Sequence, residues 1–147
     1  MIRPAQPADR PFLTEMARLA AVIEDQPLPP ASEVTTTLPP SLDPVLVATT
    51  AAGTPVGAAW WHFHDPPLID PSVPELGLAV LATERGHGVG TALITALARK
   101  AATTHDRIVL NVHVRNPAIR LYSRNGFEVA GKGRGPLGVA MLRWLRS

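Results

Sequence analysis

Three alternating glycines, Gly86, Gly88 and Gly90, are the residues whose spacing most directly suggests chemistry. Glycine adopts positive φ without strain and lets backbone N–H groups come close to a ligand. An apolar run at 76–82 precedes the glycines and an amphipathic run at 91–103 follows them, which predicts a strand, a loop and a helix. The first turn of a helix carries free N–H donors and a partial positive charge, so such a loop is suited to bind phosphate or pyrophosphate.

The spacing of the glycines disfavours two common nucleotide-binding loops. A dinucleotide-binding loop has the pattern G-x-G-x-x-G, and here the third glycine comes one residue early. A P-loop ends in Gly-Lys-Ser/Thr, whereas this one ends in Val89-Gly90-Thr91 without a lysine. A tight turn that binds no ligand is the alternative that the glycines alone leave open.

The elements around the loop predict an α/β chain with about seven strands and three or four helices. Strands are predicted at 1–3, 45–50, 56–64, 75–81, 108–114, 127–130 and 139–145. Helices are predicted at 9–23 with Asp9 as N-cap, at 91–103, and from Asn116 to Gly126, with at most a short helix at 31–37. Two proline clusters, at 27–44 and 66–74, are predicted as stiff loops because proline fits neither helix interiors nor central strands.

Composition limits the class of protein. A chain of 147 residues with 46% hydrophobic and 18% charged residues suits one globular domain over 1–147. A net charge of +2 without a basic run gives no sign of a nucleic-acid partner. Without cysteine, disulfides and a covalent cysteine mechanism are excluded. The chain starts without a signal-peptide pattern and has no apolar run near ~20 residues, so we expect a soluble, cytoplasmic protein with no membrane partner.

Three blocks, in order along nearly the whole chain, resemble the GNAT superfamily of acyl-CoA-dependent N-acyltransferases. Ile2-Arg-Pro-Ala with Asp9 following is similar to the family's opening strand and turn. Within 78–93, Arg85-Gly-His-Gly-Val-Gly90 matches the acyl-CoA pattern Gln/Arg-x-x-Gly-x-Gly/Ala. The block 116–127, with its Leu-Tyr and Gly-Phe pairs, looks like the family's fourth-helix segment.

The resemblance implies a single domain with a mixed central sheet, whose splayed central strands form the acyl-CoA cleft. It implies acetyl transfer from acetyl-CoA to a primary amine by direct attack in a ternary complex, with acetyl-CoA as co-substrate and no metal. The acceptor would be a small-molecule amine or an amine of a peptide or protein, and a homodimer is left open. A catalytically weak or inactive acyl-CoA-binding regulatory module on the same fold is the alternative.

The resemblance also assigns residues to the cofactor. The pyrophosphate would lie on main-chain N–H groups of Arg85, Gly86, His87, Gly88, Val89, Gly90 and Thr91, with His87 facing solvent. The pantetheine arm would pair with Leu78, Ala79 and Val80, and Arg124 would lie near the 3′-phosphate. The family usually has asparagine seven residues before the tyrosine, where this chain has Arg115. Asn116 follows, so we expect it to cap the helix, and its contact with the cofactor is left open.

The catalytic roles implied by the resemblance centre on Tyr122, as the general acid that protonates the leaving thiolate. A free tyrosine has a pKa of ~10 and is therefore protonated at neutral pH. The backbone N–H of Val80 would stabilise the oxyanion, and Glu75 is a candidate general base. A solvated strand-end carboxylate is the alternative role for Glu75, and His62, His64 or a chain of waters could serve as base instead. Asn111 stands where some members carry a glutamate, but an asparagine cannot act as a base.

The acceptor site is predicted from the aromatic and acidic residues nearby. His62 and His64 share one strand face, and they are expected to line the substrate pocket with Trp61 rather than to bind a metal, since no third ligand is suitably spaced. Carboxylates in the two proline-rich loops would suit a cationic amine, although such loops are commonly just solvated. They are Glu24, Asp25, Glu33, Asp43, Asp65 and Asp70.

Overall fold

Seven strands form one mixed sheet in the computed structural model of the chain, which describes residues 1–22, 27–34 and 37–145. The strands are β1 (Ile2–Pro4), β2 (Val45–Thr49), β3 (Pro55–His62), β4 (Glu75–Val80), β5 (Arg107–His113), β6 (Glu128–Lys132) and β7 (Gly138–Trp144). Their order is β1-β2-β3-β4-β5-β7-β6, and every neighbouring pair is antiparallel except β4 and β5. The predicted α/β fold and its seven strands are confirmed.

Four α-helices flank the sheet: α1 (Arg10–Ala20), α2 (Ala31–Val34), α3 (Val89–Ala101) and α4 (Ala118–Arg124). Helix α1 ends before the predicted residue 23, which lies outside the described residues, as do residues 35 and 36 after α2. Helix α3 begins two residues earlier than predicted because Gly88, in the left-handed region, is its N-cap. Over the ranges that the structure covers, no helix combines the length and apolarity needed to cross a bilayer.

Each face of the sheet has its own core. Helix α3 buries Leu93, Ile94, Leu97, Ala98 and Ala101 on one face, as its periodicity predicted. On the other face, Leu13 and Met16 of α1 pack with Trp60 of β3. The indole Nε1 of Trp60 donates to the Thr37 carbonyl at 2.7 Å, so burial leaves no polar atom of that side chain unpaired.

An ion pair ties the start of the chain to the entry of α1. Arg3 donates to both carboxylate oxygens of Asp9 at 2.7 and 2.9 Å, and Asp9 also accepts the Gln6 backbone N–H at 2.7 Å. Asp9 is the N-cap residue of α1, as predicted, but its carboxylate is occupied by these groups and makes no capping hydrogen bond to α1. Its bond to Arg3 holds the pKa of Asp9 below its ordinary value.

The centre of the sheet is split between its two parallel strands. Strands β4 and β5 share one register pair, Glu75 with Val109, next to a hydrogen bond from the Val109 N–H to the Pro74 carbonyl at 3.0 Å. Beyond that pair the strands diverge, so most of one edge of β4 has no strand partner. The predicted splaying of the central strands is therefore confirmed.

Candidate active site

A cleft of about 450 Å³ opens where β4 and β5 diverge. Helices α3 and α4 and the glycine loop line it, together with the C-terminal end of α1. The cleft collects these residues of the predicted site: Leu78, Ala79, Val80, Arg85, Gly86, Gly88, Val89, Gly90, Thr91, Asn116, Tyr122 and Arg124. Segments from α1 to α4, far apart in sequence, thus meet around one cavity.

The free edge of β4 presents main-chain groups to this cleft. The Leu81 N–H donates to the Val56 carbonyl at 2.8 Å, so the main chain of Leu81 faces β3. Because N–H and C=O groups alternate sides along a strand, those of Leu78 and Val80 face the gap. The Val80 carbonyl indeed accepts the Arg85 Nε–H at 3.4 Å on that side. The Val80 N–H is therefore directed into the gap between β4 and β5.

The glycine loop combines two different uses of glycine. Gly86 and Gly88 have φ values of +80° and +79°, and no atom would lie within 4 Å of an added Cβ. These two positions leave open space in front of the α3 N-terminus, whose N–H groups favour anions. Gly90 lies inside α3, and an added Cβ there would lie 2.9 Å from Leu121 Cδ2, so it permits close packing of α3 on α4. His87 is exposed and does not line the cleft.

Two asparagines shape the α4 side of the cleft. The N-cap of α4 is Pro117 rather than the predicted Asn116, but Asn116 Oδ1 accepts the N–H of Ala118, the first residue of the helix, at 2.9 Å. Asn125 was not singled out from the sequence. Its Nδ2 donates to the Leu121 carbonyl at 2.8 Å and to Thr91 Oγ1 at 3.3 Å, linking the end of α4 to the start of α3.

Tyr122 lines the cleft from α4. Its ring meets that of Phe127 edge-on, with centroids 5.9 Å apart. Burial raises the pKa of Tyr122 to about 12, because the phenolate would lose its hydration there. The phenol therefore keeps its proton throughout the neutral range and can donate it.

Glu75 does not line the cleft. Its side chain is buried and accepts from both terminal nitrogens of Arg134, at 2.8 and 2.5 Å. Arg134 also donates to the Pro66 carbonyl at 2.9 Å. A base role for Glu75 stays a prediction, but the geometry gives it a structural one, since both oxygens are already occupied. Arg134 was missed from the sequence because its partner lies 59 positions away.

The two histidines and Trp61 also lie outside the cleft lining. His62 is the cross-strand partner of Glu75, and its ring lies 6.5 Å from that of His64. The Nδ1 atoms of both rings are buried without a hydrogen-bond partner in the described part of the chain. Burial lowers the pKa of His62, an effect that the nearby Glu75 charge partly opposes. The Trp61 ring packs edge-on against His105 at 5.7 Å, on the core of the α3 face.

The remaining predicted acceptor groups are dispersed. Glu33, Asp43, Asp65 and Asp70 do not line the cleft, while Glu24 and Asp25 lie outside the described residues. Within residues 1–22, 27–34 and 37–145, no three His, Cys, Asp or Glu side chains form a group that could hold a metal ion.

Comparison with known structures places the fold. A ribosomal-protein-alanine N-acetyltransferase from Brucella melitensis has 24% identity and a TM-score of 0.71, with 98% of this chain and 99% of that one covered. A GNAT phosphinothricin acetyltransferase from Sinorhizobium meliloti, solved with acetyl-CoA, has 23% identity and a TM-score of 0.71 over 98% and 87%. The ribosomal-protein-S18-alanine N-acetyltransferase from Escherichia coli has 17% identity and a TM-score of 0.73 over 100% and 94%. The TM-scores show that these proteins share the fold of this chain.

Sequence comparison supplies the family. A search among curated proteins finds no match. A family model described as an acetyltransferase (GNAT) domain matches residues 42–129, which include β4, the glycine loop, α3, β5 and α4. The chain therefore belongs to the GNAT acetyltransferase family.

Proposed function

We propose that the protein transfers an acetyl group from acetyl-CoA to a primary amine, with both substrates bound together. The observation that carries this proposal is the cleft between β4 and β5, where the glycine loop, the free edge of β4 and the Tyr122 phenol meet. These are the parts needed for binding a phosphate-bearing thioester and for expelling its thiolate. A bound amine can attack directly, so the absence of cysteine from the chain is no obstacle.

The lining fits acetyl-CoA in both shape and charge. The space in front of Gly86 and Gly88 lies at the positive N-terminus of α3, which suits a pyrophosphate. Arg124 lines the same cleft and would supply a cation for a further phosphate. The main-chain groups of Leu78 and the Val80 carbonyl would hydrogen-bond the amides of the pantetheine arm, as an added strand pairs with a sheet edge.

Two groups of the chain would act on the reacting atoms. The Val80 N–H would donate to the thioester oxygen as negative charge develops there. Tyr122 would give its proton to the departing sulfur as the carbon–sulfur bond breaks and the carbon–nitrogen bond forms. The products are the N-acetyl amine and coenzyme A thiol, and Tyr122 regains a proton from solvent.

The proton of the attacking amine would leave to water. Asn111 is the polar side chain of β5 in the cleft, and its amide cannot take up a proton. Glu75 is held by Arg134 outside the cleft. The open cavity beside Asn111 therefore offers solvent the most direct access to the amine.

A thiol-release assay tests the proposal. Wild-type protein and Tyr122→Phe are given acetyl-CoA and a panel of primary amines, and acetyl-CoA affinity is measured by calorimetry. We expect at least one amine to be acetylated, and kcat to fall about 10²-fold in Tyr122→Phe with affinity preserved, because the phenol proton is lost. Tight acetyl-CoA binding without turnover of any amine would instead favour an acyl-CoA-binding regulatory module.

A further inference from the structure

A second cavity adjoins the cleft on its β5 side. It has a volume of about 690 Å³, and its lining includes the β6–β7 loop. Five residues line both cavities: Ala20, Val22, Asn111, Val112 and Asn116. A molecule held in the second cavity would thus lie directly beside the cleft that contains Val80 and Tyr122.

The wall between the cavities is firmly built. Asn111 Oδ1 accepts the backbone N–H of Arg134 at 2.8 Å, and the Arg134 guanidinium is anchored on Glu75 and on the Pro66 carbonyl. The β6–β7 loop closes on itself through a hydrogen bond from the Gly133 N–H to the Gly138 carbonyl at 2.9 Å. The polar groups on this wall are therefore held in defined orientations.

The polar side chains of the second cavity can face it as donors, because each of their acceptor atoms already accepts a backbone hydrogen bond. The oxygens of Asn111 and Asn116 each accept a backbone N–H, which fixes both amides with Nδ2 free to donate. The Nδ1 of His113 accepts the Arg115 N–H at 3.1 Å, so its ring proton lies on Nε2. Arg115 and Arg134 are donors by nature.

The charge of the lining residues also favours a ligand that accepts hydrogen bonds. Arg115 and Arg134 contribute two guanidinium groups, and the described lining contains no carboxylate. Arg134 is neutralised by Glu75, but Arg115 is exposed and appears in no salt bridge among the described residues. On the described lining residues, a polycationic amine would meet donors and a like charge. An anionic, oxygen-bearing group would meet hydrogen-bond donors and a guanidinium charge.

Resting on the proposed acetyl transfer, we propose that the acceptor is a small amino carboxylate, such as a free amino acid. Its carboxylate would lie in the second cavity on Asn111, Arg115 and His113, with its amine directed into the cleft. Asn111 is then a specificity-determining residue, held in place by the β6–β7 loop. This assignment is opposite to the cationic acceptor that the acidic proline-rich loops suggested.

Matched substrates test whether the enzyme recognises the carboxylate of its acceptor. Free amino acids are assayed beside the carboxamide and the decarboxylated amine of the same skeleton, an amino-acid dipeptide, and spermidine. We expect kcat/KM for the free amino acid to exceed that for its amide and its decarboxylated amine by at least about tenfold, given the loss of charge-assisted hydrogen bonds. A dipeptide preferred over the free amino acid would mean recognition of a peptide terminus, and it would overturn the small-molecule assignment.

The variant Asn111→Asp tests whether Asn111 Nδ2 donates to the carboxylate of the acceptor. Aspartate has nearly the same shape and can still accept the Arg134 N–H, but it replaces the Nδ2 donor with a negative charge. We expect the ratio of kcat/KM values for amino acid over decarboxylated amine to fall at least about tenfold, through a higher KM for the amino acid. Arg115→Met should lower the same ratio. Arg99→Met, which removes an exposed cation of α3 outside both cavities, should leave it unchanged.

Failure of this inference is distinguishable from failure of the proposed function. Rapid turnover of spermidine or of the decarboxylated amines, with poor turnover of amino acids, keeps the acetyltransferase and overturns the carboxylate site. If no amine turns over, thermal shifts of the protein with coenzyme A report binding of the same compounds. A larger shift with the decarboxylated amine than with its amino acid would then overturn the inference.

Discussion

The two sides of the β4–β5 gap are built in different ways. On the cofactor side, the glycine loop and α3 follow β4 directly in the chain, and α4 adds a second short block. On the acceptor side, Arg134 reaches Glu75, Pro66 and Asn111 over 59, 68 and 23 positions. A site made of contiguous residues leaves a motif in the sequence, whereas one made of distant pairs leaves single residues that look unremarkable.

The largest effect should come from a substitution on the cofactor side. Gly88→Glu puts a side chain and a negative charge into the space proposed for the pyrophosphate. The affinity for acetyl-CoA should therefore fall about 10²-fold or more, which corresponds to a loss of at least ~2.8 kcal/mol of binding free energy. Calorimetry measures the affinity. Gly53→Glu is the matched control: Gly53 also has positive φ, +88° against +79°, and open space, but it lies outside all the cavities. Equal loss of affinity in both variants would sink the loop assignment.

On the acceptor side, the largest expected effect is on the free energy of unfolding. Glu75→Gln leaves the Arg134 guanidinium without its carboxylate, so the free energy of unfolding should fall by about 2 kcal/mol, less than for a fully buried pair because Arg134 is partly exposed. Glu15→Gln, which breaks the exposed pair with Arg18, should cost at most about 0.5 kcal/mol. Urea unfolding compares the two variants.

The same Glu75→Gln variant also separates the two roles of Glu75. With a structural role, the pH profile of kcat/KM keeps the wild-type shape. A selective loss at neutral pH that recovers as pH approaches the pKa of the substrate amine would identify Glu75 as the base and contradict the geometric argument.

The smallest effect concerns His62, beside the same ion pair. Burial holds the pKa of His62 below its ordinary 6.5, so the unfolded chain binds this proton more readily than the folded one. The resulting contribution to stability is present above pH 6.5 and is lost as pH falls below it. Stability measured from pH 7 to 5 should decline less in His62→Gln than in the wild type. His87→Gln, at an exposed histidine, should decline like the wild type, and indistinguishable profiles for all three proteins would remove His62 as the cause.

Local patterns in the sequence determined the strands, the helices and the cofactor side. Alternation and 3.6-residue periodicity are carried by neighbouring residues, so all seven strands and the buried face of α3 could be predicted within a few positions. The glycine loop and the Leu121-Tyr122 pair are equally local, and most residues predicted around them do line one cleft.

Only the tertiary structure determined the arrangement of the proposed acceptor side. His62 and Glu75 have types and spacing suited to chemistry, but the sequence does not reveal the ion pair of Glu75 with Arg134 or the burial that lowers the pKa of His62. Gly90 was predicted from the sequence as a phosphate-binding glycine, and only the structure shows that it also permits close packing against Leu121. Whether Asn111 donates or accepts depends on a backbone N–H 23 positions away. The physical reason is that hydrogen-bond occupancy, burial and charge pairing are set by residues that become neighbours only when the sheet forms, so no local pattern encodes them.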